Sequence, residues 1–262
     1  MPRTPANDVH PVLPGCEPWS SPAGGPHGAL VLHGFTGSPV SMRPLAEDLA
    51  EAGFAVEMPR LPGHGTDVED LAETGWDDWL TEAERALEAL QGRTPNGRVV
   101  VVGLSMGGAL TLALAQGHPE LAGIVLINAP VTAPPELAAG IEEMMAGGMD
   151  IIDSIGGDIA DPEADEASYD ATPLRPLLTM LMAGEDVRAR LADITQPTLI
   201  ITSRQDHVVN PGDSDILAEE ITGPVERVWL DNSYHVATLD YDKGEVALAT
   251  VTFAQRVTQP QG

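Results

Sequence analysis

The sequence predicts an α/β architecture in which a mostly parallel central sheet is covered by helices on both faces. Three observations carry this. Short uninterrupted apolar runs recur ("ALVL", "VVVV", "GIVLI", "TLIIT"), amphipathic stretches separate them, and the two kinds of segment alternate along most of the 262 residues. A run that is apolar without alternation is what a strand buried on both faces requires.

The first such strand, Ala29 to Leu32, runs into a Gly-rich loop, "HGFTGSP". The spacing of Met42, Leu45, Ala46 and Leu49 then predicts a helix from about Ser41 to Ala52, with Gly53 in the stop position. A strand and a Pro/Gly loop follow in "FAVEMPRLPGHGTD". The segment "TGWDDWLTEAERALEALQG" gives the clearest helical pattern, because Trp76, Trp79, Leu80, Ala83, Leu87 and Leu90 form one stripe. Thr74 with Asp77 resembles a capping box at its start, and the tryptophans read as core.

Val99 to Val102 is the next strand, too short for a helix and fully β-branched. It is followed by a helix-forming stretch from Met106 to Gln116, apolar on all sides and so buried. "AGIVLINAP", "PTLIITSRQDHVVNP" and "PVERVWLDNSYHV" each carry one further strand, and Val246, Ala249, Thr250, Phe253 and Val257 mark a closing helix. Residues 131–195, between the strands "GIVLI" and "TLIIT", are too many for a plain connection and must have structure of their own. There Leu137, Ile141, Met144 and Met145 share a helical face, and "PLRPLLTMLM" suggests a second helix. Five of the nine methionines fall in this insertion. Their flexible thioethers suit either a cap that moulds itself around acyl chains or simple packing of that cap onto the body.

No linker, repeat or low-complexity tract divides the chain, so residues 1–262 read as one domain carrying a cap at about 131–195. The formal charge of −27 argues against nucleic acid and anionic membrane as partners, since both would repel such a surface. No apolar run approaches a bilayer-spanning length, and the N-terminal prolines stand where a secretion signal needs an apolar core; a soluble cytoplasmic protein is expected. Cys16 is the only cysteine, which rules out an internal disulfide and reads as a free, inert thiol. No Cys/His spacing resembles a metal site.

Chemistry enters at "GLSMGG". Ser105 stands between the valine strand and the helix after it, and Gly103, Ser105 and Gly107 spell G-x-S-x-G, a nucleophile elbow. Side chains at the flanking positions would collide with neighbouring strand and helix, hence glycine. A serine hydroxyl needs a base to take its proton and a carboxylate to orient that base. In this architecture the order along the chain is Ser, Asp, His. Asp206 follows "TLIITSRQ" and His235 follows "ERVWLDNSY", so both leave the carboxyl ends of strands, where chemistry collects in such sheets. Asp231 is the rival acid, although it leaves the same strand that delivers His235. His10, His27, His33 and His64 precede the serine, His118 follows its helix too closely, and His207 would have to turn away from Asp206.

The oxyanion of a tetrahedral intermediate needs preorganised donors. The backbone N–H of Met106, directly after the nucleophile and at a helix N-terminus, is one. Phe35, in the loop after "ALVL", is the natural second. Its ring could wall an acyl pocket or sit in the core.

Together "LVLHGFTGSP", "PRLPGHGT", "GWDDWL", "GLSMGG", "QDHVVNP" and "SYHVATLD" resemble the α/β-hydrolases, in particular the small bacterial carboxylesterase and monoacylglycerol lipase group. That resemblance implies a triad of Ser105, Asp206 and His235 with Phe35 and Met106 as oxyanion donors. It also implies an acyl-enzyme mechanism on short to medium acyl esters or monoacylglycerols, and no cofactor. The cap has no residue-by-residue counterpart in the resemblance, so the acyl preference is not implied. A triad alone also admits a thioesterase, C–C hydrolase, peptidase or acyltransferase. A non-catalytic ligand-binding protein on the same fold is the remaining class. A dehalogenase fits less well, because that group needs a carboxylate where Ser105 stands.

Overall fold

A computed structural model describes residues 10–22, 24–154 and 156–259. In chain order its elements are β1 (Trp19–Ser20), β2 (Gly28–Leu32), α1 (Arg43–Glu51), β3 (Ala55–Met58), α2 (Val68–Ala72), α3 (Trp76–Arg93), β4 (Val99–Leu104) and α4 (Met106–Gly117). There follow β5 (Gly123–Ile127), α5 (Pro135–Ala146), β6 (Ile151–Asp153), β7 (Ala171–Pro173), α6 (Leu174–Arg188), β8 (Thr198–Ser203), α7 (Asp213–Glu220), β9 (Val225–Leu230) and α8 (Lys243–Thr258).

The main sheet has the order β1-β3-β2-β4-β5-β8-β9, and every neighbouring pair is parallel except β1 with β3. This is the α/β arrangement the alternation predicts. The short antiparallel edge strand β1 gives no sequence signal, being two residues long. Along the central strands, successive side chains feed opposite cores, as the period of two demands. Leu30, Leu32, Val99, Val101, Ile124 and Leu126 pack with α3, α4 and part of the insertion. Ala29, Val31, Val100, Val102, Val125 and Ile127 pack with α1 and α8. Burying Trp79, Leu87 and Leu90 of α3 stabilises this arrangement by roughly 1.5–3 kcal/mol per side chain.

Two local expectations are corrected. The helix expected from Ser41 begins as a 3-10 turn, Pro39–Met42, capped by the Ser38 hydroxyl, and becomes α-helical only at Arg43. The start of α3 is shifted by one residue: Gly75 is the N-cap, and its N–H donates to Asp78 Oδ2 at 3.2 Å. Thr74 instead donates its hydroxyl to the Leu71 carbonyl at 2.9 Å. On the first helix of the insertion, α5, Ile141 is buried and Leu137 is 40% exposed. The insertion also contains a small β6–β7 hairpin that the sequence pattern does not announce. Among the described residues no helix is long and apolar enough to cross a membrane.

Candidate active site

The site is built where β4 meets α4. Ser105 has φ 54° and ψ −121°, a left-handed-side conformation that costs a non-glycine residue on the order of 1–3 kcal/mol. Its hydrogen bonds explain how the strain is held. The Ser105 N–H extends the sheet by donating to the Ile127 carbonyl at 2.9 Å, while its own carbonyl accepts from Gly108 and Ala109 at 2.7 and 3.1 Å and starts the helix. One residue thus ends a strand and begins a helix. The turn is tight enough that a Cβ on Gly103 would lie 2.1 Å from the Gly107 carbonyl oxygen, and one on Gly107 would lie 2.3 Å from that of Leu32. Both glycines are sterically required.

The loop after β2 lies against the serine: a Cβ on Gly34 would be 3.4 Å from Ser105 Cβ. His33, which the sequence order sets aside as a base, organises this loop. Its Nδ1–H donates to the Gly34 carbonyl at 2.9 Å and its Nε2 accepts the Leu61 N–H at 3.1 Å, which fixes a neutral tautomer. Complete burial pushes its pKa down to about 4. The Thr36 hydroxyl donates to the Phe35 carbonyl at 2.7 Å, and the Thr36 carbonyl accepts from Tyr169 of the insertion at 3.1 Å. Among the described residues neither the Phe35 N–H nor the Met106 N–H donates a hydrogen bond within the protein, so both amides are free for a ligand oxygen. The Phe35 ring packs in the core, 5.6 Å from Trp79 and 6.1 Å from His64 between ring centroids.

At the end of β8, Asp206 accepts the N–H groups of Val208 and Val209 on Oδ1, each at 2.8 Å. That leaves Oδ2 for Nδ1 of His235, 2.8 Å away. The rival Asp231 is 74% exposed and pairs with Arg204. His207 does turn away from Asp206, with Nδ1 2.9 Å from Asp158.

Asn128, just past β5, joins the pieces. Its Nδ2 donates to the His235 carbonyl at 2.7 Å and to the Ser203 hydroxyl at 3.0 Å, and its Oδ1 accepts the Ser203 N–H at 2.8 Å. Because Ser105 is bonded to Ile127, the residue before Asn128, β4 and the His235 loop are tied through two successive residues. The Ser105 hydroxyl itself makes no hydrogen bond among the described residues.

The insertion supplies a third wall. Glu166 is buried, its Oε1 accepts the Gly157 N–H at 2.6 Å, and burial raises its carboxyl above the usual range. Its other oxygen lies 3.3 Å from where a Cβ on Gly37 would stand, beside the loop of Phe35. Asn128, His33 and Glu166 are the residues sequence reasoning missed. A cavity of about 440 Å³ opens beside Ala109, one helical turn from Ser105, between the 130–133 loop and α6; Val131, Met180 and Leu181 wall it, and Arg188 and Glu220, 3.6 Å apart, stand at its rim. Of the five methionines in the insertion only Met180 lines it. Met144 and Met145 pack onto the core, while Met149 and Met182 are 49% and 59% exposed. Among the described residues no three His, Cys, Asp or Glu side chains are grouped as metal ligands would be.

A parallel sheet bearing a strained serine at a strand-to-helix elbow, with an Asp–His pair at the ends of later strands, defines a class of hydrolases. The model of the alpha/beta hydrolase family matches residues 29–249, and the chain belongs to that family. It is 45% identical over 251 residues to a thermostable monoacylglycerol lipase of Bacillus sp. (strain H-257), covering 94% of this chain and 97% of that one. To a carboxylesterase of Bacillus subtilis (strain 168) it is 30% identical over 240 residues, covering 89% and 94%. A solved structure described with the metagenome-derived lipolytic enzymes LipS and LipT superposes with a TM-score of 0.89 at 39% identity, covering 94% of this chain and 99% of that one.

Proposed function

We propose that the protein is a serine carboxylic-ester hydrolase that works through an acyl-enzyme on short and medium acyl esters, monoacylglycerols among them. The observation that carries this reading is the buried Asp206–His235 pair, tied by Asn128 to the end of β5, whose Ile127 carbonyl holds the N–H of Ser105 beside two unpaired amides. With Nδ1 of His235 engaged by Asp206, Nε2 is the nitrogen left to take the Ser105 proton. Ser105 Oγ attacks the ester carbonyl, and the Phe35 and Met106 N–H groups stabilise the resulting oxyanion. On its collapse the alcohol leaves with the proton from His235. Water, deprotonated by the same imidazole, then attacks the acyl-enzyme, releases the acid and restores Ser105. Every step is a proton or acyl transfer, so the mechanism invokes no cofactor.

The apolar cavity starting at Ala109 supports an acyl chain as the occupant on that side. The similarity to a monoacylglycerol lipase supports a glycerol ester as substrate. The high negative charge favours a small neutral substrate over nucleic acid or an anionic lipid surface. Hydrolysis of a graded series of monoacylglycerols and simple esters by the wild type and by Ser105→Ala tests the proposal. It expects turnover that depends on acyl length and a loss of at least about a thousandfold in the variant. Turnover by a clean preparation of the folded variant would overturn it.

A further inference from the structure

A stretch of the insertion, residues 157–161, is bound to the loop of His235 from both directions. Asp158 reaches out of it. Its Oδ2 accepts the backbone N–H of His235 and that of His207, each at 3.1 Å, Oδ1 lies 2.9 Å from His207 Nδ1, and its carbonyl accepts the Val236 N–H at 3.1 Å. Asp240 reaches back from the His235 loop. Its fully buried carboxylate accepts the N–H groups of Ala160 and Asp161 at 2.8 and 3.0 Å, and those of Tyr234 and Tyr241 at 2.8 Å each. Each segment thus lends a carboxylate to the other's backbone. Such charge-assisted bonds are about twice as strong as neutral ones, and the donors they hold are costly to leave unpaired when shielded from water.

The two amides that Asp158 holds are telling. One belongs to His235, the other to the residue directly after Asp206. His235 is consequently fixed at three points by three different parts of the chain: its N–H by Asp158, its carbonyl by Asn128, and its Nδ1 by Asp206. An error of about 1 Å in such a group can cost on the order of a hundredfold in rate. We infer that Asp158 is a positioning residue for His235, acting through the His235 N–H, so that the insertion sets the base as well as roofing the site. This inference rests on the triad assigned above.

The test compares Asp158→Ala, Asp158→Asn, His207→Ala and His235→Ala by kcat and KM for a p-nitrophenyl ester and by the rate of labelling with a fluorophosphonate. The labelling rate reads activation of the serine and not acyl fit. Asp158→Ala should slow kcat and labelling together by about 10- to 100-fold with KM within about twofold. Asp158→Asn, which keeps an acceptor oxygen, should restore both to within about threefold. His207→Ala, which leaves the bond to His235 intact, should stay within the same range. Should the alanine variant fail to fold, Asp158→Ser, whose hydroxyl is too short to span the gap, takes its place. Labelling of Asp158→Ala at the wild-type rate while His235→Ala is inert overturns this inference alone. So does a His207→Ala rate as slow as that of Asp158→Ala, or a deficit no larger than the unfolded fraction seen by circular dichroism. Full labelling of His235→Ala removes the triad, and this inference with it.

Discussion

Oδ2 of Asp206 lies 2.8 Å from Nδ1 of His235, and the two side chains are 1% and 8% exposed. A carboxylate so shielded, with its other oxygen saturated by two backbone amides, can serve the imidazole alone. Asp206→Asn should keep the fold and lower kcat by on the order of 10⁴, because the amide favours the wrong tautomer of His235. Steady-state kinetics with a melting curve checks this, and a variant within tenfold of wild type would remove Asp206 from its role.

The elbow makes a steric prediction. A methyl group on Gly107 would stand 2.3 Å from the Leu32 carbonyl and 2.7 Å from that of His33, both backbone atoms that cannot swing aside. Gly107→Ala should therefore destabilise the protein by more than about 3 kcal/mol or leave it insoluble, and displace the Phe35 loop in whatever folds. Urea unfolding gives the number; a loss under about 1 kcal/mol would show that the helix can retreat from β2.

His33 links the same loop to pH. Its folded pKa of about 4 lies below the ordinary 6.5, so as pH falls the unfolded chain takes up the proton first. The stability it contributes is complete above about pH 6.5 and is lost progressively down through about pH 4, a drop on the order of 3 kcal/mol. Burial depresses His64 in the same direction. Urea melts between pH 7.5 and 4.5 should show this slope, and His33→Asn should flatten it by about one proton's worth. Equal slopes in the two proteins would contradict the assignment.

Glu166 predicts the opposite sign. Its carboxyl titrates above the usual value because it is buried, so the stability it adds is present below pH 4.5 and is lost as pH rises through the raised value. Glu166→Gln removes that loss while keeping an oxygen for the Gly157 N–H. The melting temperature of the variant relative to wild type should therefore climb from pH 5 to pH 8. A constant or shrinking difference would mean the carboxyl ionises without cost.

The central strands, the elbow and the Asp206–His235 pair are legible because each rests on a local pattern: four valines in a row, glycines two residues either side of a serine, a polar residue just past an apolar run. Asn128, Asp158, Asp213 and Asp240 are not. Asp213 accepts the N–H groups of Val131 and Thr132 at the start of the insertion, at 2.8 and 3.0 Å. Like Asp158 and Asp240 it satisfies backbone amides far away in sequence, which have no residue signature. In a chain with 40 acidic residues, nothing local marks the few that are buried as anchors. The α3 cap was misread for a related reason. Gly75 caps without a side chain, so the pattern drew attention to the hydroxyl of Thr74 one residue earlier.

The central claim is that Ser105 is the activated nucleophile, and peptide mapping after treatment with a fluorophosphonate tests it most directly. The account predicts one stoichiometric adduct, on Ser105, formed at a rate that collapses in His235→Ala. An adduct on any other residue, or ester hydrolysis undiminished by a reagent that leaves Ser105 unmodified, would contradict it.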